Sequence, residues 1–412
     1  MIATNLFEYG EFFEIPFDKV DGLKAYLQTV WESRPQYSEE NQNAQRFIQF
    51  DGNKIRARNY SGFIQYEDLH FNIYPKVCKS NKKEGNILNH VLHWLSHSER
   101  IRFPIVSNEI GLQNTDDWFE ALIAIFAKVT NDVLESNPYQ SYQEVIEETQ
   151  YLRGRLAINE YISQNLVKGN WTSFRCTHEP FIFDNLFNRI VKSVTKSLAS
   201  KTKRPETYVI LDEILFLLDE VTDYFYNAED CDKVKLNPLY QELAKVLDLC
   251  KMFLEMQTIS ETNAQNSNFC LMLPMETIFE DYVFALIKKH LPRERPLGQK
   301  GNFLAITDKE THTFLMKPDI LLQKSKIVVD TKYKLRDRAL NNKKGISELD
   351  LYQMITYCTY HQYDKAILIY PSDGPESIDE FSINNSSIKV TAIDFYIFDN
   401  NNLKVINEIS LG

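Results

Sequence analysis

The spacing of apolar residues changes twice along the chain, and this restricts the fold to a β-rich part, a helical part and a mixed part, in that order. Up to about residue 84 the apolar residues alternate. In RFIQFDGNKIRARNY they flank Asp51-Gly52-Asn53, a hairpin turn signal. In SGFIQYEDLHFNIYPKV, Phe63, Leu69, Phe71 and Ile73 share one face of a second hairpin turning at Glu67-Asp68. From about residue 85 the period is helical. DDWFEALIAIFAKVTNDVLES places Trp118, Leu122, Ile125, Phe126, Val129 and Val133 on one stripe, and NLFNRIVKSVTKSLAS does the same with Leu186, Ile190, Val194 and Leu198. TYVILDEILFLLDEVTDYF and NPLYQELAKVLDLCKMFLE continue the pattern, with Asn237-Pro238 as a helix start. The plain reading of each stripe is core packing. After the polar segment TISETNAQNSNF, at 258–269, the types mix. A helix is expected over 275–291, strands near 302–306, 313–322 and 327–334, a helix over 347–361, and buried strands in KAILIYP and IKVTAIDFYIFD. The expected fold is α+β and multidomain: a small β-rich domain at 1–84, a helical docking region at 85–268 and an α/β domain at 269–412.

Bulk properties set further limits. At 412 residues the chain is long for one domain, and 43% hydrophobic with 25% charged residues is ordinary for a globular protein. The formal net charge of -11 excludes a protein that grips nucleic acid over its whole surface, so such a contact needs a local patch or a partner. Cys78, Cys176, Cys231, Cys250, Cys270 and Cys358 are too scattered for a cluster or zinc site, and are expected to be reduced, buried thiols of a cytoplasmic protein. The opening MIATNLFEYGEFFEIPF does not read as a secretory signal. No apolar run reaches the roughly 18 residues of a membrane span.

The stretch MKPDILLQKSKIVVDTKYK carries the chemistry. With Gln323–Lys326 as the turn, Asp319 falls across from Asp330, and Lys332 shares a face with Asp330. Facing carboxylates destabilise a sheet and raise one another's proton affinity. A divalent cation removes both costs, and hard oxygen ligands with open positions suit Mg²⁺. Solvated strand ends beside a surface lysine are the plain alternative, because D…DxK spacings are common. Three features add to the sharper reading. Glu280 sits at the edge of the apolar stripe of METIFEDYVFALIKKHL, where it either reaches solvent or points at a site beside the sheet. Gln353 and Tyr357 lie on one helical face, i and i+4. Lys324, Lys326, Lys332, Lys334, Arg336, Arg338, Lys343 and Lys344 make a basic segment, read as a mobile loop suited to a phosphodiester backbone, or else as a solvated surface loop.

In order, Glu280, Pro318-Asp319, Asp330-Thr331-Lys332 and Gln353-x-x-x-Tyr357 resemble the PD-(D/E)xK nuclease core with the QxxxY extension of RecB-like nucleases. More narrowly the chain resembles the McrC family, nuclease subunits of McrBC-type, 5-methylcytosine-specific restriction systems. That likeness includes YLRGRLAINEYISQNL, FDNLFNRIVKSVTKSL and NPLYQELAKVL. It implies a C-terminal PD-(D/E)xK domain cutting modified double-stranded DNA in antiphage defence. In it Asp319, Asp330, the Thr331 carbonyl and Glu280 would serve one or two Mg²⁺ ions, with Mn²⁺ as a substitute. Lys332 would orient water or neutralise developing charge, and Gln353 and Tyr357 would position Lys332 or the DNA. It also implies an AAA+ GTPase partner of the McrB type, a hexamer that supplies recognition, translocation and GTP hydrolysis. The chain itself has no GxxxxGK[ST] loop. Arg153 and Arg155 would serve docking or support the fold. A stand-alone RecB-like nuclease and a non-catalytic activator of an AAA+ ring are the competing expectations.

Overall fold

A computed structural model describes residues 4–33, 44–79, 87–101, 103–104, 115, 117–136, 138–142, 144–237, 240–258, 268–306, 312–339, 342–398, 406 and 409. The chain forms two compact units, Met1–Trp118 with Ile259–Gly412, and Phe119–Thr258. This differs from the expected division at 84 and 268, and a strand pairing explains why: the segment after the polar break completes the N-terminal sheet.

That sheet contains β1 (Thr4–Phe7), β5 (Tyr60–Tyr66) and β6 (Leu69–Tyr74). Between them in sequence lie β2 (Phe13–Glu14), α1 (Phe17–Ser33), β3 (Ile48–Asp51) and β4 (Lys54–Ala57). Both expected hairpins form, β3–β4 around Gly52 and β5–β6 around Glu67-Asp68. β1 runs parallel to β6. Leu23, Leu27 and Trp31 of α1 pack with Phe47, Ile55, Ile64 and Phe71 into one core. α2 (Ile87–Leu95) then buries Leu88, Val91, Leu92 and Trp94.

The second unit begins within α3 (Trp118–Ser136). Short strands β7 (Ser141–Tyr142), β8 (Val145–Thr149) and β9 (Arg155–Leu156) precede α4 (Ile158–Tyr161), then β10 (Phe174–His178) and β11 (Phe181–Ile182). The helices α5 (Leu186–Ala199), α6 (Pro205–Leu217), α7 (Ala228–Cys231) and α8 (Gln241–Thr258) follow. The apolar stripes of α3, α5 and α8 are core, with Phe126, Ile190, Val194 and Phe253 buried, whereas α6 buries Leu211 and Ile214 but exposes Tyr208, Val209 and Phe216. α5 is capped by Asn185, whose side chain accepts from the Asn188 N–H at 3.1 Å. Pro238, the expected helix start, lies outside the described residues. The strands here were not expected: they are two to five residues long and mostly half-exposed, so they lack an alternating signature. Arg153 and Arg155 are both exposed, and Arg153 makes a loose 3.9 Å approach to Glu147. Gly154 between them has φ +72°, a conformation suited to glycine.

β12 (Phe269–Pro274) returns to the first unit and pairs antiparallel with β5 along its full length. Gly62 sits at this crossing with φ +141°, where a Cβ would overlap the Leu271 carbonyl. α9 (Met275–His290) follows, then β13 (Pro296–Gly298), β14 (Asn302–Ile306) and β15 (His312–Met316). The remaining elements are β16 (Ile320–Leu322), β17 (Ile327–Thr331), α10 (Glu348–His361), β18 (Lys365–Ser372), β19 (Ile378–Ser382) and β20 (Lys389–Tyr396). They build a six-stranded mixed sheet in the order β13-β16-β17-β18-β20-β19, with β17, β18 and β20 mutually parallel. Met354, Tyr357 and Cys358 of α10 pack on one face with Val328, Leu368 and Val390. Phe279 and Tyr282 of α9 meet Phe395 at 5.7 and 6.0 Å, on the opposite parity of β20 from Val390. The strand expected over 313–322 is two strands. Pro318 lacks the N–H a continuous ladder needs, and β15 instead pairs with β14 apart from the main sheet. All six cysteines are buried and free of disulfides. Among the described residues no helix is long and apolar enough to cross a membrane.

Candidate functional site

The β16–β17 hairpin pairs Ile320 with Val329 and Leu322 with Ile327, so the next step outward sets Asp319 opposite Asp330, as the sequence implies. Asp319 Oδ2 accepts the Thr331 main-chain N–H at 2.7 Å and the Thr331 hydroxyl at 2.8 Å. Asp330, at the end of the parallel core strand, is 2% exposed. The Lys332 Nζ approaches Asp330 Oδ2 to 2.5 Å, a close ion pair. The ammonium donates to Gln353 Oε1 at 2.9 Å, Gln353 Nε2 donates to the Tyr357 hydroxyl at 2.7 Å, and that hydroxyl donates to the Lys317 carbonyl at 3.3 Å. The relay returns to the main chain two residues before Asp319. α10 can deliver it because positions four apart share a helical face. Ser347 fixes the start of α10, accepting the Asp350 N–H at 3.1 Å.

Glu280 borders this cluster from α9. Its Oε2 lies 3.0 Å from Arg100 Nη2, and Gln299 Nε2 donates to its Oε1. Arg100 also donates from Nε to Asp281 Oδ1 at 2.6 Å and from Nη2 to the Thr277 carbonyl at 3.1 Å. The Gln299 main-chain N–H donates to the Asp319 carbonyl at 2.8 Å. A cavity of about 160 Å³ opens between Arg100, Glu280, Phe284, Gln299 and Asp319. The sequence gives no signal for Arg100, Asp281 or Gln299, because none sits in a recognisable spacing.

The proton affinities follow from burial. Burial, and then the charge of Asp319, push Asp330 up to about 7 against the pull of Lys332. The same two causes push Glu280 up to about 7, opposed by Arg100 and Gln299. Asp319 is raised by burial against the two Thr331 hydrogen bonds and Lys332. Burial pulls Lys332 down, but the Asp330 carboxylate outweighs it and the net shift is upward.

Among the described residues no three carboxylate, imidazole or thiol groups assemble in metal-holding geometry. Glu280 stands close enough to Asp319 to feel its charge, and Arg100 and Gln299 engage its two oxygens. The basic segment is also less available than its composition suggests. Arg336 is inserted between Asp394, at 2.7 Å, and Asp379, at 3.1 Å, with its side chain 1% exposed. Arg338 makes two 2.7 Å bonds to Asp379, Lys334 contacts Asp350 at 3.0 Å, and Lys343 contacts Glu348 at 2.5 Å. Local acids thus hold much of this segment's charge, while Lys324, Lys326 and Lys344 are exposed.

Residues 55–371 match the model of a family described as McrBC 5-methylcytosine restriction system component. No curated protein matches the sequence. Among solved structures, a chain of the refined half-complex from the tetradecameric assembly of Thermococcus gammatolerans McrB AAA+ hexamers with bound McrC superposes with TM-score 0.77 at 20% identity, over 99% of this chain and 100% of that one. A chain of the cryo-EM structure of the Thermococcus gammatolerans McrBC complex gives TM-score 0.56 at 20% identity, over 70% of this chain and 88% of that one. At such identity the likeness is one of fold.

Proposed function

Because the chain belongs to the family of McrBC 5-methylcytosine restriction system components, we propose that it is the DNA-cutting subunit of such a system, a Mg²⁺-dependent endonuclease with a PD-(D/E)xK core working with an AAA+ GTPase of the McrB type. The observation that carries this reading is the convergence of Asp319, Asp330, Lys332 and Gln353 at one end of two adjoining strands. The structural likeness to a chain of an assembly of McrB AAA+ hexamers with bound McrC supports the partner. The second, mostly helical unit is the proposed docking region.

The residues fit a hard divalent cation. Asp330 is buried and faces a second carboxylate, whose charge raises its proton affinity. Continuing the hairpin register puts Pro318, which has no N–H, opposite the Thr331 carbonyl. Mg²⁺ keeps several waters and needs only one or two protein carboxylates, so the engaged state of Glu280 is no obstacle. A bound cation there supplies Lewis acidity to the scissile phosphate and lowers the pKa of its water.

The chain's own groups do the rest. Thr331 orients Asp319 through two hydrogen bonds. Asp330 and Gln353 aim the Lys332 ammonium. Lys332 acts as a positive charge beside the developing phosphorane. Tyr357 locks Gln353 to the Lys317 carbonyl. Arg100 and Gln299 hold Glu280 at the rim.

The test is Lys332→Ala assayed with the partner, GTP and methylated duplex DNA. Cutting falls by at least about 100-fold, while partner binding and stimulated GTP hydrolysis persist. Undiminished cutting in both Mg²⁺ and Mn²⁺ removes the assignment. Cleavage of linear DNA by the wild-type chain without partner or nucleotide would favour a stand-alone nuclease instead.

A further inference from the structure

Past Lys332 the chain leaves the sheet. The Lys332 N–H still bonds the Ile369 carbonyl at 2.9 Å, but the Lys334 N–H turns back onto the Lys332 carbonyl at 2.7 Å. Something other than the ladder must fix the main chain that carries the lysine. The next residue, Tyr333, meets Phe279 of α9 whereas Lys332 meets Gln353 of α10, and it is held on three sides. Its hydroxyl donates to Glu8 Oε2 at 2.7 Å. The Lys76 ammonium stands 4.4 Å from its ring centroid. The ring of Phe279, the residue before Glu280, lies 6.0 Å from it.

Glu8 comes from the other end of the sequence. It follows β1 and is 1% exposed. The Lys76 main-chain N–H donates to the same Oε2 at 3.0 Å, and Oε1 has no hydrogen-bond partner among the described residues. A carboxyl so deeply buried, with one oxygen unused, is a costly way to pack a core. Hydrogen bonds of the β5–β6–β12 sheet do not need it. Its contacts with Tyr333 and Lys76 tie the N-terminal sheet to the strand end that bears Lys332.

We propose that Glu8 is a positioning residue of the cleavage site: through the Tyr333 hydroxyl it fixes the Lys332–Lys334 main chain, and through the Tyr333–Phe279 contact it fixes the helical turn that carries Glu280. The inference rests on the nuclease reading for its catalytic consequence, but its structural core is independent of that reading. Glu8→Gln keeps an oxygen for both donors. Glu8→Ala removes the acceptor, and Tyr333→Phe removes the donor while keeping the ring.

The experiment measures amide hydrogen exchange across residues 330–336 and steady-state cutting of methylated DNA with the partner present, for each variant and the wild type. Glu8→Ala and Tyr333→Phe are expected to speed exchange in 330–336 by about tenfold and to lower kcat by a similar factor with KM unchanged, while Glu8→Gln resembles the wild type in both. Unchanged exchange in 330–336 for Glu8→Ala and Tyr333→Phe overturns the proposal. So does a loss confined to thermal stability, with kcat per folded molecule intact. If the wild type does not cut DNA, the nuclease reading fails by itself, and the exchange data alone decide whether Glu8 anchors this segment.

Discussion

Asp330 is a buried carboxylate set against Asp319, with a single ammonium in contact. Burial and the Asp319 charge outweigh the Lys332 contact and push Asp330 up to about 7, so removing its charge relieves a net cost in the metal-free protein. Asp330→Asn is therefore expected to raise the melting temperature without metal and to abolish any rise caused by added Mg²⁺. For the wild type, Mg²⁺ at tenfold over its dissociation constant adds about 1.4 kcal/mol, or roughly 4 °C; differential scanning calorimetry reads both effects. Glu8 gives a second prediction at this scale. Burial pushes its carboxyl from 4.5 up to about 7, against the Lys76 N–H, the Lys76 charge and the Tyr333 hydroxyl, with Glu276 adding a small upward push. The folded state thus holds this proton more tightly than the unfolded chain. Its stabilising effect is complete below about pH 4.5 and is lost as pH rises toward 7. The cost approaches roughly 3 kcal/mol above that window. Glu8→Gln removes this dependence, so urea melts should find the variant gaining on the wild type between pH 5 and pH 8 by about that amount. A parallel pair of pH profiles would contradict the burial argument.

At the level of elements, the helix that presents Gln353 and Tyr357 depends on its first turn. Ser347→Ala removes the cap over Asp350 and should cost about 1 kcal/mol, lowering the melting temperature by roughly 3 °C. Since the Lys332–Gln353–Tyr357 relay is fixed farther along the helix, cutting should change by less than about threefold, an expectation from the local reach of capping. The same elements show what sequence can reveal. The facing of Asp319 and Asp330 was readable because a short polar break between two apolar runs leaves one plausible turn, and register then follows by counting. The Gln353–Tyr357 pair was readable because helical periodicity is local. β13 and β19 were harder, being short or partly exposed, and Pro318 divides what reads as one strand into β15 and β16. Arg100 and Glu8 were not readable at all. Their partners lie 181 and 325 residues away, and no local pattern encodes a contact made only when distant segments share a sheet.

For the whole molecule, charge decides how DNA reaches the site. The chain carries a net charge of -11. Its most basic segment is largely committed to its own acids, with Arg336 and Arg338 on Asp379 and Asp394, Lys334 on Asp350, and Lys343 on Glu348. An exposed ion pair is weak, yet it removes the attraction of a free cation for phosphate. Lys324, Lys326 and Lys344 remain as exposed cations near the hairpin and its following loop. Each phosphate contact contributes a slope of about -0.9 to log K against log salt, so these three cations contribute no more than about -3 to the slope of the isolated chain. A segment with so few uncommitted cations holds duplex DNA only weakly near physiological salt. Cutting then requires that DNA be delivered, which is the role proposed for the AAA+ partner. Fluorescence anisotropy of a labelled duplex, titrated with the chain alone over a range of salt, measures this slope directly. A slope of -6 or steeper would mean that the basic segment disengages from its acids to grip the backbone, and the delivery argument would fall. A shallow slope that steepens only when partner and GTP are present would locate the grip in the assembly and leave this chain the cut.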